Sequence, residues 1–123
     1  MIKGQIFWAK DSKKHPHPIV FLKSENEETF VACILSTKNS NGNILLKTTH
    51  FEVFNEYGIE YNFKYKNSHL VHTKVFVKEV SWLNSIEPQG MLTKDGIQFI
   101  ESHLDGLQPE YLPISIKALT KLV

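Results

Sequence analysis

Residues 13–18 read Lys13-Lys14-His15-Pro16-His17-Pro18 and set two imidazoles two positions apart in a stretch rich in cations. Each proline biases the residue before it toward extended geometry, so His15 and His17 fall on the same side of a pre-extended segment. Lys10, Lys13 and Lys14 flank them. That combination can hold a phosphate beside two groups that titrate near neutral pH, which is the equipment of general acid–base chemistry. A solvent-exposed loop whose histidines do no work fits the same residues.

A second group is Leu35-Ser36-Thr37-Lys38, where an apolar run ends in two hydroxyls and a cation. Groups leaving a rigid strand for a polar loop are well placed to bind phosphate or ribose. No G-x-S-x-G surrounds Ser36, so a hydrolase elbow is unsupported, and turn chemistry ahead of Asn39-Ser40-Asn41-Gly42 is the plainer account of Ser36 and Thr37. A third group is aromatic: Phe51, Phe54, Tyr57, Tyr61, Phe63 and Tyr65, with Lys64 and Lys66 interleaved. Such interleaving suits single-stranded nucleic acid, where bases stack and cations track phosphates. Tyr61, Phe63 and Tyr65 at period two equally describe one packed face of a strand.

Other chemistry finds less support. A zinc site built on His15 and His17 would need further ligands from His50, His69, His72 or Cys33. Cys33 lies in an apolar run and reads as a small core residue, and His69 and His72, three apart, face opposite ways on a strand. Neither G-x-G-x-x-G nor G-x-x-x-x-G-K-[ST] occurs, which removes the usual dinucleotide and phosphate-loop signatures. Glu52, Glu56 and Glu60 would share a helical face, but their region reads as strand and turn.

The elements that must position these groups follow from the patterning. The chain has 123 residues, 41% of them hydrophobic, with a net charge of +1, which is enough for one ordinary core and rules out a polycation or an acidic disordered chain. All 14 cations are Lys, so the bidentate phosphate clamp that Arg supplies is absent. The single Cys33 excludes an internal disulfide. No apolar run spans a bilayer and the start, MIKGQIFWAK, lacks a signal-peptide core, so a cytoplasmic chain without a membrane anchor is expected.

Short β-branched and aromatic runs fill the first two-thirds: Ile6–Ala9, Ile19–Leu22 and Phe30–Leu35, the last reading as a central strand buried on both faces. Lys23–Glu28 reads as a solvated hairpin tip. Asn41-Gly42 reads as a tight hairpin leading into Ile44–Leu46, with later strands around His50–Phe54, Tyr61–Tyr65 and Lys74–Trp82. Thr93 is placed to cap a helix through Leu104, stopped by Gly106 and Pro109. Ile116, Leu119 and Val123 have helical spacing in a tail that must pack on the rest or on another subunit. The class is β-rich α+β.

In order along the chain, these pieces resemble the MazF/PemK-like toxins of bacterial toxin–antitoxin systems. Lys3-Gly4-Gln5-Ile6-Phe7-Trp8 is similar to that family's opening strand, and Pro18-Ile19-Val20-Phe21-Leu22 to its second. Ile34-Leu35-Ser36-Thr37 stands where the family carries a hydroxyl pair after its third strand, and Gly90-Met91-Leu92-Thr93 resembles its helix entry. The resemblance covers about residues 3–104.

It implies a single domain over 1–123: an SH3-like barrel over about 3–85, a helix over about 93–104 and a tail over 107–123. It also implies a homodimeric endoribonuclease that cleaves single-stranded RNA without metal or other cofactor, held in check by a cognate antitoxin protein. The family's catalytic Arg falls on His17, and its Thr or Ser position on Ser36, with Thr37 beside it. His15 would then serve as the proton-transfer partner of His17, with Lys13, Lys14, Lys38, Tyr61, Tyr65 and Lys66 along the RNA. The His-for-Arg replacement equally fits a catalytically silent SH3-like module that binds protein or nucleic acid, or an RNA-binding barrel resting on the 61–66 run.

Overall fold

In the computed structural model the described residues are 1–9, 17–63, 67–83 and 85–111. They form a small, strand-rich α+β protein: a curled, largely antiparallel sheet and one α-helix. The strands are β1 (Gln5–Trp8), β2 (Pro18–Ser24), β3 (Thr29–Ser36), β4 (Ile44–Leu45), β5 (His69–Leu70), β6 (Val75–Glu79), β7 (Gly90–Met91) and β8 (Pro109–Tyr111). The helix, α1, is Lys94–Leu104.

β3 is the centre of the sheet. One edge runs along β2 and the other is shared end to end by β6, paired over Thr29–Ala32, and β5, paired at Leu35 and Ser36. The path is β4-β5-β3-β2-β1-β7, with β8 parallel on the outer edge of β6. Because side chains alternate along a strand, β3 feeds two separate apolar clusters. Val31, Cys33 and Leu35 join Ile6, Val20, Leu70, Leu92, Ile100 and others. Phe30, Ala32 and Ile34 join Phe7, Ile19, Phe21, Val71, Phe76, Trp82 and others. The expectation of a strand buried on both faces holds. Cys33 is fully buried, and that burial pushes its thiol up to about 12.

The helix is as the residues dictate. Thr93 Oγ1 accepts the Gly96 N–H at 3.1 Å and caps the first turn. Ile100 and Leu104 point into the first cluster, with Ile97 and Phe99 packed beside it. The chain leaves the helix through Gly106 at φ +82°.

Three expectations are corrected. Asn41-Gly42 does not make a hairpin: Ser40–Gly42 is a 3-10 turn, and β5 inserts between β3 and β4. The Asn43 side chain donates to the Lys38 carbonyl at 3.1 Å, folding the loop back so that β4 lies one strand further out. His50–Phe54 and Tyr61–Phe63 are not strands. Thr48–His50 is a 3-10 turn docked under α1, and Phe51 and Phe54 make only single bridges, to Leu92 and Glu60. The strand expected over Lys74–Trp82 stops at Glu79 and gives way to a 3-10 turn, Val80–Trp82. Residues 109–111 form a strand on β6, while the expected tail helix lies outside the described residues. No helix among the described residues is long and apolar enough to cross a membrane.

Candidate functional site

The candidate site is the end of the sheet where β3 runs out. Ser36, the last residue of β3, is 8% exposed, and its Oγ accepts the Lys38 N–H at 3.0 Å, turning the chain so that Thr37 and Lys38 face outward. They enter an open cleft of about 590 Å³ completed by Asn39, Ser40, Leu45, Asn67 and His69. The Ser36–Lys38 bond and the Asn43–Lys38 bond hold the cleft loop from both ends. Gly42, at φ +76°, lets the loop turn tightly against the ring of His72: a Cβ there would sit 3.2 Å from His72 Cε1. His72 Nδ1 is buried with no hydrogen-bond partner.

His17 reaches this end of the sheet from β2. Its carbonyl accepts the Ala9 N–H at 2.9 Å, so the backbone continues the β1–β2 pairing past Trp8 and Pro18. β2 and β3 are in register as far as Ile19 and Ile34. The pairing ends there, two residues short of His17 on one strand and of Ser36 on the other. His17 and Ser36 thus lie past the paired part of β2 and β3, at the same end of the sheet, and of the expected residues Thr37 and Lys38 line the cleft.

The remaining expected residues divide. His15, Lys13, Lys14, Tyr65 and Lys66 lie outside the described residues. Tyr61 belongs to the β7 side of the fold: its N–H donates to the Val53 carbonyl at 3.0 Å, and the next two residues bond Gln89. Partial burial, with Glu52 and Glu56 nearby, raises its phenol above the ordinary range. Those acidic neighbours suit a phosphate backbone poorly.

Of the histidines considered for zinc, His69 lines the cleft and His72 abuts its loop at Gly42, while His50 lies elsewhere. His50 sits under α1, its Nδ1 accepting the Lys47 N–H at 3.0 Å and its ring stacked on Phe99 with centroids 4.5 Å apart. Burial and the Lys47 charge, against the opposing pull of Asp95, hold its pKa below the usual value. Among the described residues no group of three or more His, Cys, Asp or Glu is arranged to hold a metal ion. Lys78, buried on β6, lies with Nζ 4.8 Å above the Trp82 ring, and burial lowers its pKa against the pull of Glu79.

The residue that sequence reasoning did not assign to this site is His69. It is the direct cross-strand neighbour of Ser36 and lines the cleft. Compared with known proteins, the chain matches no family model, no curated protein and no solved structure.

Proposed function

We propose that this chain is an SH3-like barrel that cuts single-stranded RNA as a metal-independent endonuclease, in the manner its resemblance to MazF/PemK-like toxins implies. One observation carries the reading. Ser36 ends the strand that opens into a cleft rimmed by Thr37 and Lys38, and His17 lies just before β2 at the same end of the sheet. In this reading Ser36 and Thr37 position the scissile phosphate, Lys38 neutralises it, and His17 protonates or stabilises charge where the family has Arg. A cognate antitoxin as inhibitor, a homodimeric assembly and a cytoplasmic setting belong to the same proposal.

The test is cleavage of a long single-stranded RNA in EDTA, with fragment ends identified by mass spectrometry. Discrete fragments ending in 2′,3′-cyclic phosphate are expected. His17→Ala should lower the rate by roughly 10²–10⁴-fold, the usual range for one acid–base group, with melting nearly unchanged. An equally active His17→Ala ends that role.

A second reading, a catalytically silent binding module, is favoured by a different feature. Val53, Phe54, Tyr57 and Ile59 are 43–79% exposed on one short loop. The loop is held in shape by Asn55, whose side chain accepts the N–H groups of Tyr57 at 2.9 Å and Ile59 at 3.0 Å. Apolar side chains held outward on an ordered turn suit a protein partner. RNA left intact by well-folded protein would select this reading.

A further inference from the structure

We infer that His69 is the second proton-transfer group of the cleft, taking the attacking hydroxyl's proton on one side of Ser36 while His17 serves the leaving oxygen on the other. The inference rests on the endonuclease reading above and gives the general-base role to His69 in place of His15, which lies outside the described residues.

The first argument is register. Ser36 and His69 are paired across the β3–β5 ladder, and directly opposed residues of antiparallel strands have Cα atoms about 5 Å apart with side chains on one face. His17 precedes β2 at the same end of the sheet, its carbonyl bonded to the Ala9 N–H. β2 and β5 lie on opposite edges of β3, two strand spacings or about 10 Å apart.

The second argument is the pleat. Ile19, Ile34 and Val71 all belong to the second apolar cluster. His17, Ser36 and His69 each stand two positions from one of these, so all three continue the same face where the apolar packing ends. Leu45, paired with His69 and 55% exposed, extends the row into the cleft and gives a base or ribose an apolar edge to rest on.

The third argument is the state of the His69 ring. Its Nδ1 lies 3.0 Å from the carbonyl oxygen of Asn67, an acceptor only, so Nδ1 carries the proton and donates. In the neutral ring Nε2 then holds the free lone pair, as a general base requires. Asn67 presents that carbonyl from φ 62°, and it is the one non-glycine residue at positive φ among the described residues.

In-line displacement at phosphorus puts the attacking and leaving oxygens on opposite sides, so base and acid must approach from opposite sides as well. His69 Nε2 takes the proton of the ribose 2′-hydroxyl as the O2′–P bond forms. The P–O5′ bond breaks, and the 5′ oxygen takes a proton from the His17 imidazolium. The products are a 2′,3′-cyclic phosphate and a 5′-hydroxyl, with no other reactant consumed.

The test uses an RNA oligonucleotide spanning a mapped cut site, in EDTA. One version has the natural P–O5′ link, and the other a bridging 5′ sulfur, whose thiolate leaves without protonation. His69→Gln should lower cleavage of both substrates by roughly 10²–10⁴-fold, whereas the defect of His17→Ala should largely vanish on the sulfur substrate. If wild-type protein cuts and His69→Gln stays within about threefold of it, the assignment falls and the endonuclease reading stands. Sulfur rescue of His69→Gln instead of His17→Ala also overturns it. Wild-type protein inert on both substrates removes the reading and the assignment together. Should His69→Gln fail to fold, ¹⁵N-histidine NMR of wild-type protein with the 2′-O-methyl oligonucleotide decides. His69 and His17 must both shift on binding, and an unmoved His69 refutes the role.

Discussion

Replacing Gly96 by Ala tests how α1 is fixed to the sheet. In an ordinary helix interior this change stabilises by about 1 kcal/mol, because Ala has the higher helix propensity. Here the sign should reverse. Gly96 is buried in the first turn of α1 against the 3-10 turn at Thr48–His50. A methyl at this position would collide with the His50 carbonyl oxygen while lying 3.1 Å from both the carbonyl carbon and Cβ of His50. These neighbours are backbone, or bound directly to it, so the helix itself must move. Two hydrogen bonds hold it at that point: Thr93 N–H to the His50 carbonyl at 2.9 Å, and Thr93 Oγ1 to the Thr49 carbonyl at 2.9 Å. Losing both costs about 2 kcal/mol. Overpacking adds roughly 1–3 kcal/mol. Set against the propensity gain, the net destabilisation is about 2–4 kcal/mol. For a chain of this size each kcal/mol is worth roughly 4 °C, so melting by circular dichroism should fall by roughly 8–16 °C. A melting point equal to or above that of wild type would refute the close approach and with it the docking of α1 on His50.

Two further outcomes follow from buried groups. Cys33, fully buried with its thiol pushed up to about 12, should resist a thiol reagent at pH 8 in native protein and react at once in denaturant; prompt stoichiometric labelling of the native form would contradict its burial. His50 should make the fold acid-sensitive. Its folded pKa lies below its ordinary value of 6.5, so its contribution is complete above pH 6.5 and is lost as pH falls through the folded pKa, because the unfolded chain takes up the proton first. Lys47 and Asp95 are the charges acting on it, pulling in opposite directions. Melting points between pH 7.5 and 5 should drop more for wild type than for His50→Gln, and parallel profiles would remove His50 as the cause.

How much of this fold is legible in the residues depends on whether the deciding contact is local. Thr93, Leu104 and Gly106 bound the helix because capping and helix termination act within a turn. Phe30–Leu35 declares itself through an unbroken apolar run that only a doubly covered strand can use. Asn41-Gly42 misleads because a glycine free to take positive φ serves the end of a 3-10 turn, as Gly42 does at φ +76°, as well as a tight hairpin. What separates them is whether the Asn43 side chain reaches back to Lys38, which no propensity records. The aromatic stretch 51–63 misleads for the opposite reason. Phe51 makes only a single bridge, to Leu92, and Phe63 packs on Gly90, Trp8 and Phe51, so tertiary contacts rather than a ladder bury these two rings.

The candidate site has the same divide, and its unread half is a single register. Ser36, Thr37 and His17 are recognisable as chemistry-bearing residues from their neighbours in sequence. His69 is not, since its value lies in facing Ser36 across a ladder between segments far apart in the chain. That register is firmly set. Leu46 N–H bonds the Ser68 carbonyl at 2.9 Å and Val71 N–H bonds the Ile34 carbonyl at 3.0 Å, bracketing His69 on both sides. Leu70 between them is fully buried in the first cluster. A slip of one residue would turn Leu70 toward the cleft and His69 into the apolar cluster, exposing a Leu at a cost of roughly 2 kcal/mol and burying an imidazole among aliphatic side chains. The burial of Leu70 therefore holds His69 opposite Ser36, and the core determines which histidine faces the cleft.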